Sequence, residues 1–265
     1  MGVELKQRSL DQLNRRNFQI ACRYAQQSNV STVLLTGKGE PTLHPLEINW
    51  YLDAIKKYEF PFIELQTNGL LFGNPKKNID SYLQRWYNNG LTTIALSIAD
   101  YRQEKNKRIF CPNSDYINLE DVINLLHGIG YSIRLSCILM KNYIDSVDHM
   151  LKLADFCRYN RVEQLTFRRI GRPQVSTAPG NITDFIEAHK LSNFQINDIR
   201  HFFDEKAVKL MDLMHGATVY EWDGQNICLT DCLTIDPSEE KLRQLIFFPD
   251  GHLRYDWQYQ GAILL

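Results

Sequence analysis

Nowhere in the 265 residues do three cysteines fall close together; the six stand at positions 22, 111, 137, 157, 228 and 232. That is too sparse for a disulfide framework in a chain of this length, and free thiols fit a reducing, cytoplasmic setting. No stretch approaches the roughly 20 consecutive apolar residues of a membrane span, and Met1–Lys6 has no apolar core of a secretory signal. Charge of one sign is lacking as well: 30 Lys and Arg face 31 Asp and Glu, leaving a formal net charge of −1. A general grip on nucleic acid through a basic face is thereby disfavoured. What remains is 44% hydrophobic and 23% charged, which excludes disorder and supplies one large core or two small ones.

The first two-thirds alternate β-branched or aromatic runs with segments of helical period, the mark of a parallel sheet or barrel. The strand candidates are Thr32–Thr36, Pro61–Gln66, Thr92–Ile98, Tyr131–Leu139 and Glu163–Arg169. Helical spacing links Ile48, Leu52 and Ile55; Ile79, Leu83 and Trp86; Leu119, Val122, Ile123 and Leu126; and Val147, Met150, Leu151 and Ala154. Asn118 and Ser146 stand where N-caps are wanted, and Gly90 and Gly130 just past helix ends. The chain opens on a helix, with Leu10, Leu13, Ile20, Ala21 and Tyr24 striped behind a Ser9 cap.

Beyond Ile170 the pattern changes. Residues 171–193 carry Gly171, Pro173, Pro179 and Gly180 with little periodicity and read as a long loop. A helix bearing Ile199, Phe202, Phe203, Leu210 and Met214 follows. Antiparallel hairpins then turn at Asp223-Gly224 and at Pro249-Asp250-Gly251, the second read as a cap over the barrel opening anchored by Tyr255, Trp257 and Tyr259. The division expected is 1–170, a βα unit, and 171–265, an α+β extension of loop, helix and hairpins packing on it.

Three strand ends carry residues suited to a ligand site. Gly37-Lys38-Gly39-Glu40-Pro41 leaves the first strand, where glycines let backbone approach a ligand and Pro41 locks the turn while withdrawing an N–H. Thr67-Asn68-Gly69 ends the second, and Ser97 lies near the end of the third. Taken singly, the first is equally an ordinary turn, the second is usually just a turn, and the third is most often a hydroxyl bonded to nearby backbone. Arg168, Arg169 and Arg172 surround Ile170, either as anion-binding guanidinium groups or as a solvated strand end.

In this order and spacing the three motifs resemble the radical S-adenosylmethionine (radical SAM) superfamily over roughly residues 9 to 170, with Gly37-Lys38-Gly39 standing where two adjacent glycines are usual. The resemblance implies an α/β fold, a partial (β/α)6 TIM-like barrel with S-adenosylmethionine and a [4Fe-4S] cluster at the strand ends. The reduced cluster would cleave S-adenosylmethionine to a 5′-deoxyadenosyl radical. It also implies that the backbone of Gly39, Glu40 and Pro41, with Gly37 beside them, holds the methionyl amine. Ser97 and Arg134 would contact ribose or carboxylate, Ile170 would lie near adenine, and Thr67 and Asn68 would shape the floor.

One departure matters. The superfamily's C-x-x-x-C-x-x-C loop, which anchors the cluster, lies between the first strand and the first helix, and this chain already opens on that helix. The expectation is therefore a radical SAM enzyme incomplete at its N-terminus, with this chain inactive alone; the alternative is a non-catalytic relative serving as a SAM-binding or partner protein. Cys22, Cys137 and Cys157 read as packed core thiols, and Cys228-x-x-x-Cys232 offers two ligands where an auxiliary cluster needs more. The substrate, whether peptide, nucleotide or small metabolite, is not legible.

Overall fold

A computed structural model describes residues 15–37, 39–74, 79–112, 115–171, 180–213, 216–230, 244–257 and 259–265. The five predicted strands are present within one residue of their expected bounds: β1 (Thr32–Leu35), β2 (Phe62–Thr67), β3 (Thr93–Ile98), β4 (Ser132–Leu139) and β5 (Gln164–Arg169). All pair in parallel, in sequence order. The helices are α1 (Arg15–Gln27), α2 (Pro45–Ile55), α3 (Asp80–Asn88), α4 (Gln103–Phe110), α5 (Leu119–Ile129) and α6 (Val147–Tyr159).

The expected caps form. Asn118 Oδ1 accepts the Glu120 N–H at 3.0 Å and Ser146 Oγ that of His149 at 3.3 Å, while Gly90 and Gly130 take the left-handed conformation that ends α3 and α5. The α1 face differs from the expected stripe. Its buried residues are Phe18, Ala21 and Cys22, whereas Tyr24 is exposed. Phe18 sets the rotation, because its ring meets those of Trp50, Tyr51 and Phe247 with centroids 5.1 to 5.4 Å apart. Ser9, Leu10 and Leu13 lie outside the described residues.

Two sequence expectations beyond Ile170 are corrected. Part of the segment read as loop is helical, α7 (Gly180–His189); its Ile182 and Phe185 stay exposed, so it carries no strong apolar stripe to read. The next helix, α8 (Asn193–Lys206), stops before Leu210, which belongs to a strand, β6 (Val208–Leu213). Exposed Leu210 had mimicked a helical stripe. Arg172, Pro173, Pro179, Met214 and Cys232 lie outside the described residues.

The first hairpin is as expected: β7 (Ala217–Trp222) and β8 (Gln225–Thr230) are joined by Asp223 and Gly224, both at positive φ (47° and 83°) as a tight two-residue turn requires. Strand β8 pairs in parallel with β5, and β7 and β6 follow antiparallel. The result is one sheet of order β1-β2-β3-β4-β5-β8-β7-β6 that runs across position 170.

The second hairpin pairs β9 (Ile246–Phe247) with β10 (Leu253–Arg254). It is tied to α1, through Asn17 Nδ2 donating to Gly251 O at 2.9 Å and through Phe247 against Phe18. Tyr255, Trp257 and Tyr259 are exposed. Its lock is Arg254, nearly buried, stacked on Phe248 and donating to Asp250 and to the Gln260 carbonyl.

The central strands have two unlike faces. On one, Leu65, Ile94, Leu96, Ile133, Leu135, Cys137, Leu165, Phe167, Ile227 and Leu229 are buried in a single core cluster with the helices. Each such large side chain contributes about 1.5–3 kcal/mol by leaving water. On the other, the registers align Gln66, Ala95, Arg134 and Gln164 in one row and Ser97, Ser136, Thr166 and Cys228 in the next. That face is almost wholly polar.

Candidate S-adenosylmethionine site

β1 ends at Leu35, and its exit loop reaches a 3-10 turn at Pro41–Leu43 capped by Glu40. The Glu40 carboxylate binds four donors. Oε1 accepts from Thr42 N at 3.0 Å, Thr42 Oγ1 at 2.6 Å and Thr67 Oγ1 at 2.5 Å, and Oε2 accepts from Asn68 N at 2.8 Å. Bonds to an ionised carboxylate are the strong kind, and these fasten the loop after β1 to the loop after β2.

The second loop is built to receive them. Thr67, fully buried, accepts the Gly69 N–H on its hydroxyl at 3.0 Å, and Asn68 Oδ1 accepts that of Leu70 at 2.9 Å. Gly69 is at φ +71°, and a Cβ there would lie 2.9 Å from Leu96 Cδ2. Only glycine makes this turn without strain. The Thr67-Asn68-Gly69 motif thus shapes a loop through its own hydrogen bonds.

Gly37 and Gly39 border open space: a Cβ on Gly39 would meet nothing within 4 Å, and one on Gly37 only Gly39 N at 4.0 Å. A ligand can approach the backbone there, while Glu40 is held by its side chain and so leaves its main chain in a fixed pose. Ser97 lies on the polar face, aligned with Ser136. Arg134 lies one row deeper, level with Ala95, and its guanidinium pairs with buried Glu64, which also accepts from Gln66 Nε2 at 2.9 Å. Ala95 is small enough for that pair to bridge β2 and β4 above it. Arg134 Nε is buried without a partner. Ile170 is half-buried just past β5. Arg168 is half-buried on the polar face and Arg169 is exposed.

The structure therefore unites Glu40, Thr42, Thr67 and Asn68 in one bonded unit, with Pro41 in the turn between Glu40 and Thr42 and with Gly37 and Gly39 on its open side. It sets Ser97 and Arg134 on the polar face and Ile170 at the β5 exit. Sequence reasoning missed Thr42 and Glu64. Thr42 follows Glu-Pro directly, the place for a cap partner. Glu64 is a carboxylate in an apolar strand, on the same alternation as Gln66, and a charged residue there asks for a cation across the sheet.

The donor set fits S-adenosylmethionine, which offers an ammonium, a carboxylate and hydroxyls to a main-chain cradle and a polar floor. It does not fit a [4Fe-4S] cluster, whose ligands are thiolates. Burial pushes the Cys22 thiol up to about 11, opposed weakly by Lys57, and raises Cys137 and Cys157 further. Cys111 is exposed at the end of α4, and Cys228 lies on the polar face. Among the described residues no three His, Cys, Asp or Glu side chains gather as a metal site.

No protein-family profile matches the sequence, and no curated protein matches it. Solved structures do match. Streptococcus suis SuiB bound to S-adenosylmethionine superimposes with a TM-score of 0.51 at 14% identity, over 86% of this chain and 46% of that one. SuiB bound to the precursor peptide SuiA gives 0.52 at 16% identity, over 77% and 40%. The likeness is one of fold, shared with SuiB, and the chain spans less than half the length of SuiB.

Proposed function

We propose that this chain is the S-adenosylmethionine-holding part of a radical SAM enzyme. The observation that carries this reading is the Glu40 carboxylate, which locks two strand-end loops together beside Gly37 and Gly39, where the space is open. In this reading the main chain of Gly39, Glu40 and Pro41 accepts the methionyl ammonium. Ser97 hydrogen-bonds ribose or carboxylate, and Ile170 packs near adenine. Thr67 and Asn68 hold the floor rigid, and Arg134 draws the ligand's carboxylate from below while keeping its bond to Glu64.

The described thiols supply no cluster, so no radical step is assigned to these residues. The row of Ser97, Ser136 and Thr166 suits a substrate rich in hydrogen-bonding groups, whether peptide, nucleotide or small metabolite. The second reading, a SAM-binding protein without catalysis, is favoured by the burial of Cys22, Cys137 and Cys157 as neutral thiols.

Calorimetric titration of the chain with S-adenosylmethionine tests the binding claim. Saturable heat that is lost in Glu40→Ala and weakened in Ser97→Ala is the expected result; no heat in the folded chain sinks it. Anaerobic treatment with iron, sulfide and dithionite then tests the second reading. Formation of 5′-deoxyadenosine excludes the non-catalytic one, and binding without turnover excludes catalysis by this chain alone.

A further inference from the structure

The far end of the sheet raises a separate matter. β6 is its last strand among the described residues, bonded to β7 on one side only. All six of its residues are exposed, and four are apolar: Val208, Leu210, Met211 and Leu213, each between 41% and 59% exposed. A long uncovered edge of this kind is a template for another strand.

The β6 sequence fits itself. A register shift between Lys209 and Met211 leaves Leu210 as the bulged residue and resets the alternation of faces. Lys209 then stands level with Tyr220 and Asp212 with Thr218, on the helix-covered side where Tyr220 packs on Phe203. Val208, Met211 and Leu213 share the other side with Glu221, Val219 and Ala217. With the bulged Leu210 left out of register in both copies, an antiparallel pair of two β6 strands about a two-fold axis at Met211 sets Val208 against Leu213 of the second copy. It sets Lys209 against Asp212 of the second copy, and each pair occurs twice. Opposite charges and apolar groups directly across a ladder are the favourable pairings. The Lys209–Asp212 contact at 2.7 Å within one strand shows that the two side chains already lie on one face, where Asp212 Oδ1 also accepts from Thr218 Oγ1 at 2.8 Å.

We propose that β6 is a self-association edge through which two copies of this chain join their sheets antiparallel, with Met211 on the two-fold axis. Lysines and bulges also guard edges against pairing; here the single lysine is matched by Asp212, and the charge pattern repels a copy only in other registers.

Sedimentation equilibrium of the full chain tests this, with its melting curve as the folding control. A concentration-dependent dimer is expected. Lys209→Asp and Asp212→Lys, each alone, place like charges opposite one another and should weaken it about tenfold; the exchanged pair Lys209→Asp with Asp212→Lys should restore it. In a Cys111→Ser background, Met211→Cys should oxidise to a disulfide-linked dimer while Lys209→Cys does not. A chain that stays monomeric, or a dimer indifferent to all these changes, overturns the proposal.

Discussion

Glu40 and Thr67 meet at 2.5 Å although 27 residues separate them, and the bond joins the exits of two neighbouring strands. Glu40→Ala would strand two hydroxyls and the Thr42 and Asn68 N–H groups at once. Unfolding free energy should fall by roughly 2–4 kcal/mol, from several orphaned donors at about 1–3 kcal/mol each less what water restores. Urea titration measures this, and S-adenosylmethionine affinity should drop alongside. Glu40→Gln, which keeps one acceptor oxygen, should lie between.

Gly69→Ala probes the turn without touching a polar group. Its φ of +71° disfavours any Cβ, and the new methyl would sit 2.9 Å from Leu96 and 3.2 Å from Ile117. A loss of roughly 1–3 kcal/mol is expected from strain and crowding. An unchanged denaturation midpoint would show that the loop can move aside.

Glu64 and Arg134 should behave as a pair. Removing only the cation, in Arg134→Ala, leaves a buried carboxylate and should cost roughly 1–3 kcal/mol. Glu64→Gln with Arg134→Gln, which removes both charges, should be milder than the sum. A double-mutant cycle reads the coupling; strict additivity would mean the contact carries no energy.

The buried thiols and Tyr51 give a sign for alkaline behaviour. Cys22 titrates near 11 in the fold against 9.0 ordinarily, and burial, helped by nearby Glu47, lifts Tyr51 to about 12 from 10.0. The native state therefore holds these protons more tightly than the unfolded chain. The stability they give is complete below pH 9 and lost as pH rises toward 11 and 12. Melting at pH 10.5 should show a loss on the order of 2 kcal/mol from Cys22 alone relative to pH 8. Iodoacetamide at pH 8 should spare Cys22, Cys137 and Cys157 until the chain is unfolded.

Much of the fold was legible because β1 to β5 alternate with helices whose buried stripes have a 3.6-residue period, as Leu119, Val122, Ile123 and Leu126 do in α5. It failed where burial does not imprint a pattern. Helix α7 exposes Ile182 and Phe185, and β6 is exposed along its whole length, so neither announces its period. In the site, the Gly-Glu-Pro and Thr-Asn-Gly motifs could be read as two loops. That Glu40 spends its side chain on joining them could not, since a 27-residue separation is fixed only when β1 and β2 pair. Arg134 was named from the resemblance, but its partner Glu64 is separated from it by the whole of β3.

The two-faced sheet has an evolutionary reading. Folding rests on Leu65, Leu96, Leu135 and Phe167, whereas Gln66, Ser97, Ser136 and Thr166, their immediate chain neighbours, point the opposite way and contribute little to the core. If the polar face receives the ligand as proposed, ligand preference and foldability are separate variables in the same strands, and a lineage can revise the one by single alternate residues while keeping the other.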